Sequence, residues 1–260
     1  MISRREVDFE AEFSPQSEEI IVYIENHSEQ GYTADGYREM HQKFTAVWNL
    51  KRNQPEAGFG ELHWIEKETP FRHKFRLNAG NAWRLRIRKS TIVSHRYLVC
   101  TAKKAAADYR SGLKKEAEKP VTLQTTCGEF ILNKDLLFFA GALENSGESR
   151  NIYLETDHGD LNAEVLLKRL NEIVSQLKNW DEEVKAFAAE DLLDLARDWN
   201  AEEDEIGRTE FIRRIGTPDI TIHPDRTVTF TFDSDGMFTD HAIEICVDQN
   251  DEITGSDSVG

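Results

Sequence analysis

The sequence predicts an α+β protein of two units, each a small, mostly antiparallel sheet with helices. Three observations predict it. Short stretches of alternating apolar and polar residues recur toward both ends of the chain, whereas 161–199 follows a helical period. Charge is divided as well: residues 1–120 carry 21 Lys and Arg against 17 Asp and Glu, a net of +4, while 121–260 carry 11 against 31, a net of −20. Between these regions, "SGLKKEAEKPVT" reads as a charged helical tail broken at Pro120, which sets a unit over 1–118 apart from one over 121–260.

Bulk composition narrows the class. Hydrophobic residues at 39% and charged residues at 31% describe a water-soluble globular chain. No apolar run approaches the roughly 20 residues that cross a membrane. The start, "MISRREVDFEAEF", has no apolar stretch behind its arginines, so a secretory signal is not expected. Cys100, Cys127 and Cys246 are odd in number and far apart, which excludes a disulfide framework and a cysteine zinc knuckle. Reduced thiols in the cytoplasm are the expectation.

In the first unit, "EIIVYIE" reads as a strand. "TADGYREMHQKFTAVWNL" reads as a helix with Tyr37, Met40, Phe44, Val47 and Trp48 on one face. Then "FGELHWIE", "FRHKFRL" and "WRLRIRK" read as strands. The last two alternate cations with apolar residues, and a turn over Ala79–Asn81 would pair Asn78 with Ala82. Arg76 then faces Arg84, Lys74 faces Arg86, and Arg72 faces Arg88. Like charges directly opposed across strands are destabilising, so something must neutralise these six. Two outcomes are expected: the acidic half or solvent covers them, or they form an anion-binding face. The aromatics point the other way, which argues against single-strand nucleic-acid binding by stacking.

The second unit opens with "CGEFILNKDLLFFAGAL" and "RNIYLET", two or three strands. A helix over Leu161–Lys178 buries Leu166, Leu170, Ile173, Val174 and Leu177, with Asp160 as N-cap. A second, "NWDEEVKAFAAEDLLDLARDW", has Asp181 as N-cap and turns Val184, Phe187, Ala188, Leu192 and Leu195 inward. A short helix from Thr209 stops at Gly216. The chain closes in a meander, "DITIH", "TVTFTF" and "MFTDHAIEICV", whose last strand puts His241 beside Ile243 and sends Asp240 to the other face.

"GEFILNKDLLFFAG", "LNEIVSQLKNWDEEVKAFAAEDLLDLARDWN" and "TEFIRRIGTPDITIHPDRTVTFTFDSDGMFTDHAIEI" together resemble the bacterial domain-of-unknown-function family numbered 2262. The family pattern has Trp-Asp at the second helix start, matched by Trp180 and Asp181. It has an Asp-Gly turn, matched by Asp235 and Gly236, and then Phe-x-x-His, matched by Phe238 and His241. Thr239 and Asp240 stand where the family usually has an aromatic and a glycine. The resemblance implies a fold unit and no assigned activity. Residues 1–118 carry no comparable resemblance.

Three readings of "FDSDGMFTDHAIEI" stay open. A metal site could draw on Asp233, Asp235 and His241. A helix–loop–helix calcium loop does not match, because glycine falls at position four from Asp233 rather than six. General acid–base chemistry would use His241 oriented by Asp235, although no nucleophile elbow, phosphate loop or His-Glu-x-x-His accompanies it. The structural reading makes "DSDG" a hairpin turn and His241 a satisfied core or rim residue. No cofactor is expected.

The leading functional expectation is a non-catalytic interaction protein. Its acidic half would engage a basic protein, as an immunity protein engages a nuclease, and its two halves would dock on each other. The charge of −20 argues against nucleic acid as a partner of that half. The alternative is an enzyme holding an anionic substrate with Arg72, Arg76, Arg84 and Arg86, and using His241 as acid–base residue.

Overall fold

The computed structural model describes residues 4–25, 29–68, 73–145, 147–200 and 206–259, without the side chains of 29–34, 145 and 148. The chain divides into two compact units: Met1–Val121 with Asp157–Leu161, and Thr122–Thr156 with Asn162–Gly260. The protein is thus α+β in two units, each built on its own sheet.

In the first unit the elements run α1 (Arg4–Ala11), β1 (Phe13–Ile24), β2 (Glu29–Ala34), β3 (Tyr37–Asn49), β4 (Gln54–Lys67), β5 (Asn81–Ser90), β6 (Arg96–Lys104) and α2 (Ala107–Ala117). The strand order is β1-β5-β6-β4-β3-β2. β1 also pairs with β3, through Val22↔Val47 and Tyr23↔Ala46. That pairing closes β1, β5, β6, β4 and β3 into a ring in which only β4–β6 is parallel. This is the topology of a five-stranded Greek-key barrel of the OB kind, with β2 added to β3. Met40, Phe44, Leu62, Trp64, Leu85 and Ile87 fill its interior. Outside, α1 places Phe9 against Phe13, Tyr37, Ile65 and Leu98. Leu113 and Ala117 of α2 cover Ile21, Tyr23, Ala46 and Ala82. Each large apolar side chain buried this way contributes about 1.5–3 kcal/mol. Gly60 permits the closure, since a Cβ there would lie 2.7 Å from the His95 carbonyl and 2.9 Å from Phe44.

Two expectations fail here. The helix expected over 33–50 is a strand, β3. Asp35 (φ 53°) and Gly36 (φ 73°) make the two-residue turn of a hairpin in which Ala34 pairs with Tyr37. The helix-like spacing has a physical origin. Tyr37 is buried outside the barrel under α1, and Met40 and Phe44 are buried inside. A register irregularity between Phe44 and Ala46 then reverses the parity, so Ala46 packs under α2 while Val47 packs toward the interior.

The second failure is the cationic hairpin. No strand forms over 73–77, because both edges of β5 are already paired, with β1 and β6. Arg76 does not face Arg84, and Lys74 does not face Arg86; Phe71 and Arg72 lie outside the described residues. The alternation survives without a ladder. Leu77 enters the barrel core, and Phe75 meets Trp64 edge-on at 5.9 Å. The buried Glu66 carboxylate accepts the Lys74 backbone N–H at 2.7 Å and bonds His73 Nδ1 at 2.9 Å.

The second unit runs β7 (Thr122–Thr125), β8 (Gly128–Asn133), β9 (Phe138–Asn145), β10 (Glu148–Glu155), α3 (Glu164–Ser175), α4 (Leu177–Trp199), α5 (Arg208–Ile215), β11 (Asp219–Ile222), β12 (Val228–Phe232), β13 (Ala242–Val247) and β14 (Ile253–Val259). Its sheet order is β14-β13-β12-β11-β10-β9-β8-β7. Two antiparallel meanders meet at the parallel pair β10–β11. A parallel pair needs a crossover, and the three helices supply it. Leu166, Leu170 and Ile173 of α3 and Trp180, Val184 and Ala188 of α4 are buried, with Trp180 5.9 Å from Phe230. The opposite face carries Thr221, Thr229, Thr231 and Cys246, as expected of an antiparallel sheet covered on one side.

Three details differ from expectation. α3 starts at Glu164 and has no side-chain cap, so Asp160 is not its N-cap. Asp181 lies inside α4 and instead accepts both Nη atoms of the buried Arg150, at 2.8 and 2.7 Å. Leu195 points outward, 39% exposed.

Candidate functional site

β5 sends Ala82, Arg84, Arg86 and Arg88 to the outside of the barrel, because Leu85 and Ile87 must face its core. Register decides what each arginine meets. In one row Ile21, Arg84 and Lys103 lie side by side; in the next come Glu19, Arg86 and Thr101. These rows lie between α2, which covers Ala82, and α1, which holds Arg88. They form a groove of about 290 Å³, whose polar lining includes Ser17, Glu19, Arg84, Arg86, Thr101 and Lys103.

The charges in this groove do not cancel. Arg84 pairs with Glu19 and lies over the Tyr109 ring at 5.7 Å. Glu18, also in the lining, pairs with Lys89 at 3.1 Å. The Arg86 and Lys103 side chains, both exposed, have no hydrogen bond or ion pair among the described residues. Two cations therefore remain uncompensated.

The other predicted cations are elsewhere or occupied. Arg88 is consumed by the α1–β1 junction: Nε donates to the Ser14 carbonyl at 2.5 Å, and Nη2 donates to the Glu10 and Phe13 carbonyls at 3.0 and 2.9 Å. Its Nη1 bonds the Glu10 carboxylate at 3.0 Å. Four of its five N–H groups are thereby spent within the protein. Lys74 and Arg76 sit on the segment over 73–77 that forms no strand, Lys74 with its ammonium 5.8 Å from the Phe75 ring centre. Of the six cations, Arg84 and Arg86 line the groove. Lys103 and Thr101, which the sequence reading missed, join them from β6.

A second missed cluster lies on the outer face of β3 and β4. His63 sits between Glu39 (Nδ1 to Oε1, 3.5 Å) and Glu61 (Nε2 to Oε2, 3.2 Å), with the His41 ring stacked at 5.9 Å. Arg96 bridges Glu39 at 3.0 Å and Glu12 at 3.3 Å. Burial pulls the His63 imidazole down, but the two flanking carboxylates outweigh that and hold it above the usual histidine value. His63 in turn holds Glu39 and Glu61 below the usual carboxylate range, with Arg96 assisting at Glu39. The alternations Glu39-x-His41 and Glu61-x-His63 were a usable signal, hidden because β3 read as a helix.

His241 departs from expectation in position and in partners. β13 starts at Ala242, so the parity argument that placed His241 with Ile243 does not reach it. It ends a run of turns over 235–240. Its Nδ1 lies 3.1 Å from the Phe238 carbonyl and 3.5 Å from Asp240 Oδ1, so Asp240 is its carboxylate neighbour after all. A carbonyl can only accept, so in the neutral ring a hydrogen on Nδ1 meets the Phe238 carbonyl and leaves Nε2 as an acceptor. Asp235 does not orient it: the Asp235 carboxylate and backbone carbonyl accept Arg214 Nε and Nη2, at 3.0 and 2.6 Å. Among the described residues no group of three or more His, Cys, Asp or Glu side chains is placed to hold a metal ion, Asp233, Asp235 and His241 included. No helix of the described residues is long and apolar enough to cross a membrane.

Fold and sites together define a two-unit protein, a small barrel followed by an eight-stranded sheet with three helices. Residues 124–257 match the family described as "Uncharacterized protein conserved in bacteria (DUF2262)", and the chain belongs to that family. Residues 5–106, the barrel, match a second family, "Domain of unknown function (DUF7021)". No curated protein and no solved structure matches the chain.

Proposed function

We propose that the protein is a binding protein whose barrel unit recognises a small anionic, phosphate-bearing ligand in the groove of Arg84, Arg86, Thr101 and Lys103. One observation carries this reading: Arg86 and Lys103 share the groove with no ionic partner among the described residues. Unneutralised cations on a sheet are costly to hold together, and an incoming anion removes the cost. Arginine offers a planar fork to phosphate oxygens, lysine a point charge, and Thr101 a hydroxyl. A volume of about 290 Å³ suits a small molecule better than a polymer. The β3–β4 face carries Glu39 and Glu61, which would repel a nucleic-acid backbone there.

The test is calorimetric titration of the full chain with inorganic pyrophosphate. Binding that weakens about tenfold or more in both Arg86→Ala and Lys103→Ala supports the reading. Absence of binding at millimolar pyrophosphate, or variants that bind like the wild type, overturns it.

A further inference from the structure

The β12–β13 connection of the second unit bounds a cavity of about 380 Å³ lined by Asp219, Asp233, Ser234, Asp240 and His241 among others, with no lysine or arginine. Its carboxylates are held by neutral donors. Asp219 accepts the backbone N–H and side-chain amide of Asn151, at 2.8 and 3.0 Å. Asp233 accepts the Asp235 N–H at 2.8 Å, and Asp240 accepts the Thr239 hydroxyl at 3.1 Å. Among the described residues Asp219 and Asp233 meet no cation, and Asp240 meets only His241.

Ser234 is an independent pointer to a ligand. It is 2% exposed, lines the cavity, and its hydroxyl makes no hydrogen bond among the described residues. A hydroxyl with no partner within the protein, on an otherwise buried side chain at a cavity wall, is free to bond a ligand group there. The backbone is also strained here: Thr239 is β-branched and sits at φ 58°. At the edge of the site the half-exposed Trp199 ring meets His241 edge-on at 5.8 Å.

We infer that this cavity receives a guanidinium or ammonium group, with Asp233 and Asp240 as its counter-charges, the Ser234 hydroxyl and His241 Nε2 as acceptors, and Trp199 as an adjacent aromatic surface. A cationic ligand fits because every ionisable side chain in the lining except His241 is an acid. An indole favours a cation over its face. The net charge of −20 over 121–260 would draw such a ligand in from solution. The group has two possible sources, a free amine or an arginine or lysine of a basic protein. This site is independent of the anion groove.

The experiment titrates the full chain with argininamide, with an octa-arginine peptide and with an octa-glutamate peptide, following the His241 imidazole and Trp199 indole resonances by NMR. Argininamide or octa-arginine shifts both resonances, and octa-glutamate shifts neither. Asp233→Asn with Asp240→Asn weakens binding tenfold or more, and Ser234→Ala several-fold. Asn at 233 retains the oxygen that accepts the Asp235 N–H, so the turn survives. Glu190→Gln, on an exposed position of α4, leaves affinity within twofold. Binding of argininamide alone assigns a small amine; binding of the peptide alone, or much more tightly, assigns a protein partner. The inference is overturned if neither ligand shifts His241 and Trp199, if the double variant binds like the wild type, or if Glu190→Gln weakens binding as much as the double variant.

Discussion

Arg86 and Arg88 are two residues apart on one strand and point to the same outer face of the barrel, yet their surroundings are opposite. Arg88 spends its guanidinium on three backbone carbonyls and the Glu10 carboxylate, tying α1 and the start of β1 to β5. Arg86 faces Glu19 and Thr101 across its two neighbouring strands and bonds neither side chain. The two histidine sites repeat the contrast. His63 is 9% exposed and flanked by two carboxylates, whereas His241 is 32% exposed and has a carbonyl as its nearest partner. A polar side chain whose donors are already spent holds the architecture together, and one with donors left over can hold something else.

The largest expected effect tests the closed end of that contrast. Arg88→Ala strands the Glu10, Phe13 and Ser14 carbonyls and should destabilise the barrel by about 3 kcal/mol or more, measured by urea unfolding. A loss below about 1 kcal/mol would break the comparison.

Next comes the His63 cluster, where the sign can be worked out. The folded imidazole is raised, so its contribution is fully present below the unfolded value of about 6.5 and is lost as pH rises through the folded one. Glu39 and Glu61 are lowered, so theirs is present above the ordinary carboxylate range and is lost as pH falls through their folded values. The stability advantage of wild type over His63→Gln should therefore be largest near pH 5.5 and shrink by pH 8.5. Unfolding midpoints at both pH values decide it, and an advantage that does not change with pH removes the assigned role of the two carboxylates.

Asp235→Ala should cost about 1 kcal/mol, through the lost Arg214 bond and a non-glycine residue left at φ 48°. It should leave the His241 imidazole resonances, followed by NMR at fixed pH, unchanged, because Asp235 faces Arg214. Smallest of all, Arg86→Ala should change stability by no more than about 0.5 kcal/mol, since no bond is lost. A larger destabilisation would show that Arg86 belongs with Arg88 among the closed sites.

Much of the second unit was legible from its residues. The helices α3, α4 and α5, the inward Val228, Phe230 and Phe232, and the stop at Gly216 follow from period and turn chemistry. The stretches that carried the family resemblance, between Gly128 and Ile245, fall within residues 124–257 of the family match. β14, Ile253–Val259, was not legible because its sequence, ITGSDSV, is mostly small and polar and only pairing with β13 makes it a strand. The β3 error has the opposite cause, since burial on both sides of one strand, with a parity change after Phe44, imitates a helical period.

The candidate sites divide in the same way. Composition and alternation alone determined the two charge regimes, the outward direction of Arg84, Arg86 and Arg88, and the presence of a turn at Asp235-Gly236. Only the tertiary structure decided which of those groups are available. β5 pairs with β1 and β6 rather than with residues 73–78, so Glu19, Thr101 and Lys103 became the neighbours of the arginines. Arg214 and Asn151 likewise reached Asp235 and Asp219 from other parts of the second unit. Side-chain direction is set by local backbone geometry and can be read along the chain. Whether a charge is neutralised depends on distances of a few ångströms to residues tens of positions away, and strand pairing sets those distances.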